Sequence, residues 1–82
     1  MSTQTYYIVQ TTPCLFIHEV EHEDVMCYCE GYGAKDAAPL SLSQAWRLYR
    51  EHKAKRSEDA PRRFPRILKV SVEMKTITTN RR

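Results

Sequence analysis

A chain of 82 residues, 41% apolar and 28% charged with a net charge of +3, has material for one domain around one modest core, and folding hides only roughly 60 to 65% of its unfolded surface. The composition excludes a disordered chain and a second domain, no apolar run approaches the ~20 residues that cross a bilayer, and Met1-Ser2-Thr3-Gln4-Thr5 lacks the basic and apolar parts of a signal peptide. A cytoplasmic protein with no membrane partner is expected, with Cys14, Cys27 and Cys29 as reduced thiols.

The first expected element is a strand from about Thr5 to Thr11, because Tyr6-Tyr7-Ile8-Val9 is aromatic and β-branched and Pro13 ends the run. Leu15–Val20 and Val25–Glu30 follow as a hairpin around the polar four-residue loop Glu21-His22-Glu23-Asp24. That loop pairs Val20 with Val25, His18 with Cys27 and Phe16 with Cys29. Alternation gathers those six residues on one face, the expected core face, with Ile17, Glu19, Met26, Tyr28 and Glu30 on the other. Gly31 to Pro39 then reads as an exposed connection.

Ser41 and Gln44 form a capping box, with Leu40 placed to staple onto Ala45. They predict a helix from Leu42 to about Arg56. Leu42, Ala45, Trp46, Leu48, Tyr49 and His52 fall on its expected buried side, and Arg47, Arg50, Glu51, Ala54 and Lys55 face outward. Pro61 and Pro65 stop the helix and stiffen a loop carrying Arg62, Arg63 and Arg66. The last strand, Ile67 to Met74, alternates Leu68, Val70, Val72 and Met74 with Lys69, Ser71 and Glu73, so the apolar set is expected under the helix. Thr76 to Arg82 is expected to extend it as an edge and then fray. The expected fold is α+β: a three- or four-stranded antiparallel sheet covered on one face by a single helix, in the order β-β-(β)-α-β, with the first and last strands adjacent at the sheet centre.

Charge carries the functional lead. Residues 1–46 hold six carboxylates against Lys35 alone, whereas residues 47–69 hold nine Lys or Arg against Glu51, Glu58 and Asp59. Arg47, Arg50, Lys55, Arg56, Arg62, Arg63 and Arg66 are the candidate binding residues, expected as one stripe running from helix to loop. Arginine's planar fork suits phosphate or carboxylate recognition, and Tyr28, Tyr32 and Phe64 are candidate stacking surfaces beside it. Helix-turn-helix and RNP signatures are absent, so base-specific reading of a duplex is not expected.

His18, His22, Cys27 and Cys29 are ligand types for zinc, but Cys27 and Cys29 lie ~6.6 Å apart along one strand instead of on a knuckle. Small buried thiols beside Val and Phe account for them without a metal. The chain also has no phosphate loop and no nucleophile elbow. No cofactor and no enzymatic activity are therefore expected, and Glu19, Glu21, Glu23 and Asp24 read as a solubilising hairpin tip or a second docking face.

At Ser41-Leu42-Ser43-Gln44-Ala45-Trp46-Arg47, after short strands and before a terminal strand, the chain resembles small phage-encoded proteins, including anti-CRISPR inhibitors of type I surveillance complexes. The resemblance implies a non-enzymatic inhibitor in the cytosol of a bacterial host that binds a host nucleoprotein complex and hinders its nucleic-acid contact. Two other classes stand beside it: a sequence-nonspecific nucleic-acid-binding accessory domain and a zinc-binding domain. Monomer and homodimer both stay open, since an edge over Lys75 to Thr79 could pair with its copy.

Overall fold

The computed structural model describes residues 2–56, 58–59 and 62–74. Pro61, the strand continuation expected over 76–82, the edge pairing expected over 75–79 and the side chain of Met74 lie outside the described residues. Four strands and one helix follow in the order β1 (Ser2–Gln10), β2 (Leu15–His22), β3 (Val25–Tyr32), α1 (Leu42–Lys55) and β4 (Arg66–Met74), with a short 3-10 turn at Ala34–Asp36. The sheet is antiparallel with strand order β3-β2-β1-β4, an α+β fold. The first and last strands are adjacent as expected, but only β1 is interior. β4 forms an edge.

Within this sheet the strands act as two long ribbons. β1 and β4 stay in register from Ser2↔Met74 to Gln10↔Arg66, and β2 and β3 from Leu15↔Tyr32 to His22↔Val25, whereas β1 and β2 share the one registered pair Gln10↔Phe16. The ribbons therefore join at one end and fork away from it. The connection after the 3-10 turn fills the fork: Ala38 N–H donates to the Ile17 carbonyl of β2 at 2.9 Å, and Leu40 exchanges two bonds with Tyr7 of β1 at 2.8 and 2.9 Å. Ala38 and Leu40 are buried. A segment whose sequence reads as an exposed linker is thus the wedge that satisfies the inner strand edges.

The β2–β3 hairpin turns through Glu23 and Asp24 alone, both with positive φ (51° and 64°). Two such residues make the primed turn whose twist matches that of the flanking strands. The register is two residues removed from the expected one, pairing Val20 with Cys27, His18 with Cys29 and Phe16 with Gly31. A two-residue shift leaves every side chain on its expected face.

The helix, however, takes the other face. Val9, Ile17, Ala38, Leu40, Ala45 and Leu48 form the core, with Tyr7, Tyr28 and Ile67 packed against it. Of the expected core face, Val20 is 45% and Val25 60% exposed. β4 is inverted in the same way: Val9↔Ile67 belongs to the helix side, so Leu68, opposite Ile8, and Val70 and Val72 alternate onto the far side. Alternation fixes which residues share a face. It does not say which face a helix will cover, and here the chain enters α1 from the fork, over Tyr7 and Ile17.

On α1, Ser41 Oγ accepts from Gln44 N–H at 3.3 Å, and Ser41 N–H donates to Gln44 Oε1 at 3.1 Å, completing the capping box. Ser41→Ala is expected to cost about 1 kcal/mol, lowering Tm by roughly 4 to 8 °C for a domain of this size. Thermal unfolding followed by circular dichroism checks it; an unchanged Tm would mean that the cap does not hold the helix start.

Candidate interaction surface

The helix phase set by that cap determines where each candidate residue points. Ala45 and Leu48 face the sheet, with Tyr49 and His52 half-buried beside them. At 100° per residue Trp46 stands about a quarter-turn away from Ala45. It is 43% exposed, and Leu42 is exposed as well. Both were expected on the buried side, but a single helix over the fork buries a narrow stripe and leaves this flank outside.

That flank is ordered by its own contacts. Trp46 and Tyr49 meet edge to face, with ring centroids 5.3 Å apart and planes at 83°. The Arg50 guanidinium lies 6.0 Å from the Trp46 ring centre and the Lys53 ammonium 5.5 Å from that of Tyr49. Cations over aromatic faces are held by the ring quadrupole. Trp46, Tyr49, Arg50 and Lys53, spaced i, i+3, i+4 and i+7, thus form one ridge in which each ring is capped by the cation four residues on. The i, i+3, i+4, i+7 spacing is legible in the sequence, but hydropathy alone puts Trp46 and Tyr49 on the buried side of the helix, and charge alone does not single out Lys53.

The expected basic residues fall into three groups. Arg47 and Lys55 are exposed on α1, and Arg50 sits on the ridge. Arg56, half-buried, donates from Nη1 to the Phe64 carbonyl at 3.0 Å and so ties the helix end to the following loop, where Arg62 and Arg63 are exposed. Arg66 lies elsewhere: it pairs with Gln10 on the sheet face away from α1, donates from Nε to Gln10 Oε1 at 2.7 Å and covers the Phe64 ring at 5.3 Å. The Arg56–Phe64 bond sets the loop carrying Arg62 and Arg63 beside the C-terminal end of α1, next to the joined end of the ribbons. Arg66 is turned away from that loop and the helix cations, so one continuous stripe does not form.

Of the expected stacking residues, Tyr32 is 77% exposed at the end of β3, Tyr28 packs against the core and Phe64 is buried. The acidic residues Glu19, Glu21, Glu23 and Asp24 are exposed on the hairpin, whose tip stands about 23 Å from the joined end at ~3.3 Å per residue. Glu30 is placed differently. It accepts from Thr11 Oγ1 at 2.6 Å, and its other oxygen lies 3.8 Å from His52 Nδ1, at the place where the underside of α1 passes the β1–β2 corner.

His18, His22, Cys27 and Cys29 share the sheet face away from α1. His18 Nε2–H donates to the Gly33 carbonyl at 3.1 Å, and its ring lies so close to Gly31 that a Cβ there would stand 2.7 Å from Nδ1. The imidazole is thereby fixed in a structural role, as a plate over the β3 backbone. Among the described residues, no group of three or more His, Cys, Asp or Glu side chains is arranged to hold a metal ion, and no helix is long and apolar enough to cross a membrane.

Compared with protein-family models, with curated proteins and with solved structures, the chain matches none.

Proposed function

We propose that this is a small non-enzymatic binding protein, acting in the cytosol of a bacterial host, that attaches to a nucleoprotein complex through the α1 flank and the Arg62–Arg63 loop and hinders that complex's nucleic-acid contact. The observation that carries the reading is Trp46, a large ring left 43% exposed, braced by Tyr49 and flanked by Arg50. Leaving a Trp in water forgoes burial that a core position would reward. Trp, Tyr and Arg are also the residues that most often dominate binding energy at interfaces. The phage-inhibitor form of this reading rests on the resemblance at Ser41–Arg47.

Direct binding of nucleic acid by the same surface is the second reading. It is favoured by the pairing of an exposed indole, on which a base can stack, with cations that can meet phosphate. The acidic hairpin limits its extent, since a long polyanion laid along the sheet would leave the basic end and meet Glu21, Glu23 and Asp24.

Capture of tagged protein from bacterial lysate, with and without nuclease, separates the two. A defined complex that survives nuclease and is lost with Arg62→Ala/Arg63→Ala is the expected result. Recovery of nucleic acid alone, abolished by nuclease, would support the second reading, and capture unaffected by the double substitution would reject the basic loop as the contact.

A further inference from the structure

Among the described residues, the face of the sheet turned away from α1 has no covering element and carries apolar side chains interspersed with Gln4, Gln10, His18, His22, Cys27 and Cys29. Register and alternation place Tyr6 and Ile8 of β1, Val20 of β2, Val25 of β3, and Val70 and Val72 of β4 on it. Near the joined end this surface closes on itself, since Ile8 and Phe16 are buried there. Towards the open ends of the ribbons it does not: Val20, Val25 and Val72 are 45%, 60% and 40% exposed. Scattered apolar side chains are ordinary on a protein surface, but here Val20 and Val25 on one ribbon and Val70 and Val72 on the other stand on the same uncovered side.

Its charge is equally distinctive. Every Glu and Lys on the described strands, namely Glu19, Glu21, Glu30, Lys69 and Glu73, alternates onto the helix side. Among the described residues the far face holds no carboxylate; its arginine, Arg66, is engaged by Gln10 and the Phe64 ring, and its histidines are His18, held over Gly31 and against the Gly33 carbonyl, and the exposed His22 at the hairpin end. A polyanion finds nothing to pair with on such a face. A lipid surface calls for basic residues around the apolar patch, and one rim here is the acidic turn Glu23-Asp24.

We propose that this face is the interface of a two-fold homodimer, two sheets packed face to face with their ribbons running in opposite directions. A face on which the described strands place no Asp, Glu or Lys meets its own copy with little like-charge repulsion, the condition an isologous contact must satisfy. The area is of the right order: the two ribbons, each of two strands about 4.8 Å apart and eight residues long, together cover roughly 500 Å² in projection, and side-chain relief brings this towards the ~800 Å² per partner of a specific interface. Charge complementarity selects the second copy and its direction. With the ribbons opposed, the acidic tip of each copy lies at the basic end of the other, whereas the alternative sets acid beside acid and base beside base. The Trp46 ridge, on the opposite side of each sheet, stays outside the interface and is presented twice.

The test is the mass of the full chain in solution, by sedimentation equilibrium from about 1 to 100 µM. Wild type is expected at twice the 9.7 kDa chain mass. Val25→Lys/Val72→Lys is expected at the monomer mass with an unchanged circular dichroism spectrum, because both positions already reach water. Met26→Lys, equally exposed but on the helix side, is expected to remain dimeric. Should the double variant lose its strand signal, single Val25→Lys takes its place. A monomeric wild type overturns the proposal. A dimer that tolerates both lysines also overturns it and moves the contact to the sheet edges, and so does a dimer that Met26→Lys dissociates.

Discussion

Ile17→Ala is expected to cost roughly 3 to 4 kcal/mol, and Val20→Ala, three residues along the same strand, less than about 1 kcal/mol. The difference follows from the side of the sheet. Ile17 is fully buried between the sheet and the helix, and its carbonyl also takes the Ala38 amide that closes the fork, so truncation leaves a cavity where three elements meet. Val20 is nearly half exposed, and its truncation removes contacts that water already interrupts. A domain of this length has only about 4 to 12 kcal/mol to lose, so Ile17→Ala is expected to lower Tm by 12 °C or more. Denaturant unfolding of both variants in dilute solution checks the pair. The reverse order of costs would place the helix on the Phe16–Val20 face and contradict the fold.

Trp46→Ala is expected to weaken partner binding by about thirtyfold or more, corresponding to the ~2 kcal/mol of an interface hot spot, while changing Tm by only a few degrees. The indole is the flank's largest apolar surface, and Tyr49 and Arg50 hold it in one orientation, so little side-chain freedom is lost on binding. Arg50→Ala removes a charge and one of the two braces on the indole. Arg47, exposed on the helix and with no ring beneath it among the ring contacts of the described residues, is expected to matter less, because a solvated cation at an interface rim contributes mainly to the rate of encounter. Affinity for the captured complex, measured on these three variants, checks the order. An effect of Arg47→Ala larger than that of Trp46→Ala would point to a purely electrostatic contact.

Much of the architecture was legible because it rests on local chemistry. Ser41 and Gln44 announce the helix start through reciprocal bonds that need no tertiary context, and alternation in β2, β3 and β4 groups side chains correctly by face even where the hairpin register is two residues removed. What was not legible depends on where separate elements meet. The strand pattern is apolar on both sides, with Ile17 and Tyr28 on one and Phe16, Val20 and Val25 on the other, so hydropathy alone cannot choose the face that the helix covers. The role of Ala38 and Leu40 arises only because β1 and β2 diverge after a single registered pair.

The surface was partly legible for the same reason. Charge counting located the basic end, and helical phase placed Arg47, Arg50 and Lys55 outward. It could not foresee that Arg66 would turn to Gln10 across the sheet, or that Trp46 would remain in water because one helix covers less than the width of its apolar arc.

Trp46 is the only tryptophan in the chain, so its emission reports directly on the surface assigned to binding. The decisive measurement is that emission as captured partner is added at 50 and 200 mM salt, for wild type and for Arg62→Ala/Arg63→Ala. A saturable change in wild type, needing more partner at the higher salt and lost in the double variant, is the predicted result. Partner that co-sediments with the protein while Trp46 emission stays unchanged would contradict it, placing the contact away from the α1 flank.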